Sequence, residues 1–191
     1  MRKLVQRFKR LKNSMEHRIR RWLLVFLLML AQLFASPVTH ADEMLEYQVK
    51  AAFIYNFIAF TQWPGDTGPA INLCLYGEDY FGNEIDKLQN KMVDARPIKV
   101  IRVSNSNQLP QCQAVFFSKS VNNNLAYLIN SLENYPILTL ADTPNAISRG
   151  IIINMNLVNE KIVFEINLAI ARKSGLDISS KLLQLAAKVH Q

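Results

Sequence analysis

The segment Arg149–Val189 decides the fold of this chain, and it reads RGIIINMNLVNEKIVFEINLAIARKSGLDISSKLLQLAAKV. Two apolar runs, Ile151–Met155 and Ile162–Ile166, flank the tetrapeptide Leu157–Glu160. Branched and aromatic residues interspersed with polar ones are typical of β-strands, and a short connection between two such runs is typical of a hairpin. The segment therefore predicts two antiparallel strands.

A helical pattern follows the hairpin. It runs through Arg172, and Gly175 occupies the position expected of a C-cap glycine. A last helix is predicted over Lys181–Val189, because leucine, alanine and valine recur on one side of it. The residues that precede it as candidate N-caps are Asp177, Ser179 and Ser180.

The chain before this segment alternates strands and helices. Short apolar runs predict strands, and the stretches between them have helical periodicity. The predicted strands are Ile71–Tyr76, Pro97–Val103, Cys112–Ser118 and Pro136–Leu140, and the predicted helices are Tyr80–Lys91 and Val121–Asn134. This alternation predicts an α/β fold: a three-layer sandwich with a mostly parallel sheet, helices on both faces and a C-terminal antiparallel hairpin at the sheet edge.

The segment Met44–Gln62 predicts the first helix. Glu46 and Lys50 have the spacing of an i,i+4 ion pair, and we expect them on the solvent side. Beyond Lys50 the helix is apolar nearly all round, which indicates either burial in its own domain or a surface covered by a partner. The residues that would form such a partner surface are Phe53, Phe57, Phe60 and Trp63.

The formal charge of +7 comes from the N-terminus alone. Residues 1–21 hold nine of the 22 lysines and arginines and a single acidic residue, Glu16. The remainder has 13 basic and 14 acidic residues, a net charge of −1. Because no cluster of basic residues follows Arg21, the sequence argues against a nucleic-acid-binding protein.

Residues 1–41 have the layout of a secretory signal peptide. The basic stretch precedes the apolar run Trp22–Phe34, and small residues follow up to Ala41, after which we expect cleavage. The alternative is a retained membrane anchor, but the 13 residues of the apolar run fall short of the roughly 20 that span a bilayer. Residues 42–191 would then form a single domain in the periplasm, with no membrane span.

Two cysteines, Cys74 and Cys112, lie in the predicted domain. An even number of cysteines in an exported protein favours a disulfide. Two buried free thiols are the alternative.

Motifs for catalysis and metal binding are missing from the sequence. Of the three histidines only His190 lies in the predicted domain, which is too few for a His-dependent triad or a His-based zinc site. Gly77 and Gly82 have the spacing of a phosphate-binding loop, but Asn83 and Glu84 occupy the positions that require Lys and Ser/Thr. We therefore expect no catalytic residue, no cofactor and no metal site.

Carboxylates near the predicted strands are the remaining candidates. Asp79 and Asp142 follow predicted strands, a position where α/β sheets often bind ligands. Glu165 lies within an apolar strand. It either contacts a ligand or partner, or faces solvent or pairs with Arg149 or Arg172.

Two segments of the chain resemble the YfiR family. The order G-I-I-I-N … V-F-E-I-N-L … A-R-K-S-G-L-D-I-S-S-K-L-L-Q-L-A is similar to the family's C-terminal signature. The stretch Val49–Pro64, V-K-A-A-F-I-Y-N-F-I-A-F-T-Q-W-P, resembles its N-terminal helix with the Trp-Pro ending. Asn167 and Arg172 match the signature, so each is a candidate for contacting a ligand or for capping the local structure.

The resemblance implies a non-enzymatic periplasmic regulator. Such proteins bind an inner-membrane diguanylate cyclase through its periplasmic sensor region and repress it, which lowers cyclic-di-GMP signalling and biofilm formation. The resemblance also implies a homodimer and a Cys74–Cys112 bridge, although the second cysteine pair of some relatives is missing here. The alternative is a periplasmic small-ligand-binding sensor domain that acts on another membrane partner, such as a histidine kinase.

Overall fold

The computed structural model describes Trp22, residues 40–65 and residues 67–191. The chain divides into two compact units, Met1–Ala41 and Asp42–Gln191, and the description below concerns the second. The predicted signal peptide, residues 1–41, lies almost wholly outside the described residues.

The strands and helices of this unit alternate along the chain. The strands are β1 Thr61–Gln62, β2 Ile71–Tyr76, β3 Met92–Val93, β4 Arg96–Val103, β5 Ala114–Phe117, β6 Leu138–Ala141, β7 Ile153–Val158, β8 Lys161–Asn167, β9 Asp177–Ile178 and β10 Lys188–His190. The α-helices are α1 His40–Ala59, α2 Asn83–Asp86, α3 Leu125–Asn130, α4 Leu168–Lys173 and α5 Ser180–Leu185, and 3₁₀ segments span Ser106–Gln111, Lys119–Asn124 and Ile147–Arg149.

The main sheet is mostly parallel, as the sequence predicts. Its eight strands have the order β10-β8-β7-β6-β5-β2-β4-β3. Strand β2 lies between β4 and β5 and is parallel to both, and the pairs β5–β6, β6–β7 and β8–β10 are also parallel. The antiparallel pairs of the main sheet are β7–β8 and β3–β4.

Helices cover both faces of the sheet and produce the predicted three layers. Alternate residues of each strand point to opposite faces. On β5, Phe116 packs in one apolar cluster with α1, α2, α4 and α5, whereas Phe117 packs in a second cluster with α3. We call the first side the α1 face and the second, which contains Cys74 and Cys112, the disulfide face.

The predicted hairpin is present, with longer strands than expected. Asn159 and Glu160 have φ of 49° and 61° between β7 and β8, and two positive φ values are what a two-residue type I′ turn requires. The hairpin is not at the sheet edge, however. Strand β10 pairs with the outer side of β8, so the expectation of an edge hairpin is wrong.

The predicted helix Lys181–Val189 is too long. The helix ends at Leu185, because Ala186 has the extended dihedrals φ −70° and ψ 137°. The following Lys188–His190 adds to the sheet, with Val189 in register with Ile166. A β-branched residue beside an unpaired strand favours this pairing over another helical turn.

The helices predicted over Tyr80–Lys91 and Val121–Asn134 are also shorter than expected. Only Asn83–Asp86 and Leu125–Asn130 are α-helical, and 3₁₀ structure precedes the second. The second of these segments contains three consecutive asparagines, residues 122–124. Their side chains compete with helical hydrogen bonds.

Candidate functional site

The apolar helix α1 packs its inner side into its own domain. Phe57 is fully buried, and its ring centroid lies 4.9 Å from that of Phe164 on β8 and 5.8 Å from that of Phe53. Phe53 and Phe60 are half-buried. Of the two interpretations offered for this helix, burial in its own domain accounts for Phe57.

Trp63 forms a corner at the end of α1. Its side chain is buried, and its indole Nε1 donates a hydrogen bond to the carbonyl of Gln113 at 3.0 Å. The guanidinium of Arg96 lies over the ring at 5.7 Å. These contacts give Trp63 a structural place inside the domain and leave little of its side chain on the surface.

The exposed positions of α1 between Met44 and Ala59 carry no charged residue, and the partly buried Glu46, whose side chain is 23% exposed, lies beside them. The apolar side chains of Met44, Leu45 and Val49 are 65%, 59% and 38% exposed. The remaining exposed positions of this stripe are Gln48, Ala52, Asn56 and Ala59. We call this stripe the α1 outer face. Because surface helices usually present charges to water, an uncharged face is typical of a contact surface.

Lys50 contradicts the expectation of a solvent-exposed ion pair with Glu46. The pair forms, at 2.5 Å, but Lys50 is only 3% exposed. Its ammonium also contacts Asp142 Oδ2 at 2.5 Å, and the side chain of Asp142 is 2% exposed. The lysine lies on the same stripe of α1 as Tyr47 and Ile54, and this spacing is the signal that could have revealed its burial.

Asp142 therefore anchors α1 to the carboxyl end of β6. Its Oδ2 also accepts a hydrogen bond from the hydroxyl of Tyr47 at 2.8 Å. Within the described residues, its buried Oδ1 and the buried hydroxyl of Thr143 have no hydrogen-bond partner. Buried charges are stable only when paired, so this cluster fixes the position of α1 on the sheet.

Asp79, the second carboxylate that follows a strand, belongs to a surface network. Its Oδ2 accepts from Arg102 Nε at 2.7 Å, and Arg102 Nη1 also donates to Asp86 at 2.8 Å. The hydrogen bonds to Asp86 and Asp79 raise the pKa of Arg102 above its ordinary value. Asp79 and Asp142 do not share a site, because their side chains have different partners.

Glu165 pairs with a residue that the sequence analysis did not consider. Its Oε2 lies 2.7 Å from His190 Nε2, and both side chains are about one-third exposed, 31% and 29%. The predicted partners Arg149 and Arg172 are therefore wrong. The pairing depends on β10, which brings the C-terminus beside β8.

Asn167 and Arg172 occupy the two ends of α4. Asn167 is the N-cap, and its Oδ1 accepts a hydrogen bond from the backbone N–H of Ile170 at 3.0 Å. Arg172 is exposed in the last turn, where a positive charge is favourable. This arrangement gives Asn167 a capping role.

The two cysteines form a disulfide. Cys74 on β2 and Cys112, just before β5, are bonded with their Cα atoms 6.0 Å apart. The bridge lies on the disulfide face and connects adjacent parallel strands. In the part of the chain that the structure describes, no group of three or more His, Cys, Asp or Glu side chains is arranged to hold a metal ion.

A family model described as YfiR/HmsC-like matches residues 47–187. The match covers almost all of the described domain. The chain belongs to the YfiR/HmsC-like family. This family consists of periplasmic, non-catalytic regulators of cyclic-di-GMP signalling with a membrane-associated partner, and the disulfide fits an oxidising compartment. The resemblance found in the sequence is thereby confirmed.

A solved structure of distant sequence shows the same fold. The ABC domain in complex with L-Trp from Streptococcus pneumoniae aligns with a TM-score of 0.51 at 10% identity. A conserved domain protein from Vibrio cholerae O1 biovar El Tor aligns with a TM-score of 0.49 at 8% identity. Each alignment covers 75% of this chain and 60% of the solved chain, so this chain spans well under two thirds of either.

The two segments that resemble the YfiR family lie against each other in space. Strand β1 pairs with β9, with Thr61 opposite Ile178. The backbone N–H of Ser179 donates to the carbonyl of Phe60 at 2.9 Å. A Cβ on Gly175 would lie 3.3 Å from Pro64 Cγ, so this glycine lets the Trp-Pro corner approach the turn after α4. The YfiR/HmsC-like signature therefore describes one packed unit.

Among the described residues, no helix combines the length and apolar character needed to cross a membrane.

Proposed function

We propose that this protein binds the periplasmic sensor region of an inner-membrane diguanylate cyclase and holds the enzyme inactive. The consequence is less cyclic-di-GMP in the cytoplasm and less biofilm. The observation that carries this proposal is the family match over residues 47–187. In the same proposal, residues 1–41 are a cleaved signal peptide, residues 42–191 form the exported domain, and the active form is a homodimer.

The surface proposed for the cyclase is the α1 outer face with its half-buried neighbours Phe53 and Phe60. In this proposal Phe57 and Trp63, whose side chains are buried, support this surface from beneath and do not contact the partner directly. The outer face offers exposed apolar area at Leu45 and Val49 and has no charge to desolvate. The buried Lys50–Asp142 pair holds the helix in place from its inner side.

Repression requires preferential binding of one state of the cyclase. A regulator that bound the active and inactive conformations with equal affinity would not change the equilibrium between them. The α1 outer face must therefore match a surface that the cyclase presents only when inactive. A signal that releases repression would act by removing this preference.

Co-purification from membranes tests the proposal. The full chain is expressed with its own N-terminus and a C-terminal tag, and bound membrane proteins are identified by mass spectrometry. We expect a diguanylate cyclase to be recovered with the wild-type chain and lost with Val49→Glu, because a charge placed in an apolar contact is left desolvated and unpaired. Tyr127→Glu on α3, an exposed residue on the opposite face, is the matched control and should retain the cyclase.

Two outcomes would count against the proposal. Recovery of a histidine kinase in place of a cyclase would favour a sensor acting on another partner. Equal loss of the cyclase with Val49→Glu and Tyr127→Glu would move the contact away from the α1 outer face.

A further inference from the structure

The main-chain pairing between β6 and β7 is incomplete near the amino-terminal ends of these two parallel strands. The two strands pair only through Leu140 with Ile153 and Ala141 with Asn154. Closer to the amino-terminal ends of the two strands, the backbone N–H of Ile152 donates to the hydroxyl of Thr139 at 3.0 Å. A side chain therefore takes the place of a main-chain partner. The main-chain ladder is therefore interrupted at this position.

A cavity of about 70 Å³ occupies this opening. Its apolar lining comes from α3 and the start of β6 on one side and from Ile152 and α4 on the other. These residues are Ile129, Leu132, Ile137, Ile152 and Ile170. A water molecule needs only about 10–15 Å³ and a benzene-sized cavity is about 150 Å³. The cavity is therefore suited to a short aliphatic group.

Gly150 keeps the cavity open. Its φ is 96°, and a Cβ at this position would lie 2.9 Å from Ile129 Cγ2. Any side chain here would meet the wall formed by α3. The absence of a side chain at Gly150, together with its left-handed conformation, preserves the space.

Arg149 is one of the two basic residues that line the cavity. Arg149 donates to the backbone carbonyls of Asn122, Pro144 and Asn145, at 2.9, 2.6 and 3.4 Å. A guanidinium has five N–H donors, so two are left over. Within residues 40–65 and 67–191, no carboxylate forms an ion pair with Arg149.

Lys173 is the second basic residue that lines the cavity. It is 3.6 Å from Glu133, and both side chains are more than half exposed, so this contact is a weak surface pair. The local charge from Arg149, Lys173 and Glu133 is +1. A half-buried guanidinium that is held by carbonyls and lacks a counter-charge attracts an anion.

We propose that this cavity binds a small aliphatic monocarboxylate. The carboxylate would lie against Arg149 and Lys173, and its short alkyl group would lie against Ile129, Ile152 and Ile170. The site lies near the amino-terminal ends of β6 and β7 and does not include the α1 outer face. The proposal is therefore independent of which membrane protein is bound, and it adds a ligand to the domain.

An amide NMR titration of the purified, oxidised protein with butyrate tests the site. We expect saturable shifts at Gly150, Ile170 and Ser174. Acetate has a methyl group in place of the propyl chain of butyrate, and butylamine lacks the carboxylate, so each should bind at least about tenfold more weakly than butyrate.

Two variants and one control locate the ligand. Ile170→Phe fills the cavity and should abolish the shifts, and Lys173→Gln, an exposed substitution that leaves the fold intact, should weaken binding by roughly threefold to tenfold. Lys181→Gln on α5 removes an equally exposed lysine away from the cavity and should bind like the wild type.

The proposal is overturned if butyrate shifts none of the three amides, or if butylamine binds as well as butyrate. It is also overturned if Lys173→Gln and Lys181→Gln bind butyrate equally. If Ile170→Phe fails to fold, the Lys173→Gln comparison still decides. None of these results bears on whether a cyclase co-purifies with the chain.

Discussion

The two faces of the sheet are covered to very different depths. On the α1 face lies a helix of 20 residues, together with α2, α4 and α5 and a continuous aromatic contact from Phe53 through Phe57 to Phe164. On the disulfide face, the helix α3 has six residues, and much of the rest is 3₁₀ structure. The covalent bridge lies on this second face. The comparison indicates that the chain is cross-linked where its non-covalent cover is thinnest.

The largest effect is expected from removing an aromatic ring on the α1 face. Phe57→Ala deletes a fully buried side chain, and losses for such a change are about 3–5 kcal/mol. Urea unfolding of the oxidised protein measures this loss. Tyr127→Ala, which truncates an aromatic that is 77% exposed, should change the free energy of unfolding by less than about 0.5 kcal/mol. Similar losses in both variants would contradict the assignment of Phe57 to the core.

The next largest effect is expected from breaking the Lys50–Asp142 ion pair on the same face. Lys50→Met leaves the buried carboxylate of Asp142 without its cation, which should cost about 3 kcal/mol. The double variant Lys50→Met/Asp142→Asn should recover most of this loss, because the amide is neutral and still accepts from Tyr47. The measurement is a double-variant cycle by urea unfolding. A double variant less stable than Lys50→Met would show that the ion pair is not the source of the loss.

The disulfide face is tested by removing its bridge. The cysteines are 38 residues apart, and replacing both by alanine should cost about 2–4 kcal/mol. Reduction by dithiothreitol should lower the unfolding midpoint of the wild type and leave that of the double-alanine variant unchanged. Because Phe57 and the bridge lie on opposite faces, their losses should add. Strong non-additivity would mean that the two faces do not act separately.

Much of the fold could be predicted because the strands are short and apolar. The runs at Ile71–Tyr76 and Pro97–Val103 identify strands without reference to the rest of the chain, and the hairpin is signalled by the short connection Leu157–Glu160 between two apolar runs. The parallel sheet follows from alternation with helices. These features depend on local sequence.

The errors at Lys50 and Glu165 have a different cause, since each involves a partner distant in sequence. Lys50 is buried because Asp142, 92 residues away, meets it. Glu165 pairs with His190 because β10 completes the sheet beside β8. The spacing from Glu46 favoured a solvent-exposed pair, whereas the stripe that Lys50 shares with Tyr47 and Ile54 was the local signal of its burial.

The candidate partner surface was likewise only partly predictable from the sequence. The sequence showed that α1 is apolar, but it did not show which side of the helix faces solvent. Phe57 and Trp63 were the most conspicuous aromatic residues, and they are the ones the domain buries. The α1 outer face includes smaller residues, such as Val49 and Ala52, which the sequence analysis did not single out as contact residues.

Both edges of the main sheet end in very short strands. Strand β3 has two residues and β10 has three. A strand that tried to pair with β3 or β10 would find few backbone N–H and C=O groups on either, and short edge strands are one of the features that protect sheets against edge-to-edge aggregation. Recognition must then depend on side chains displayed by helices and cavities. Single substitutions on those surfaces can therefore change which molecules this domain accepts while its fold stays the same.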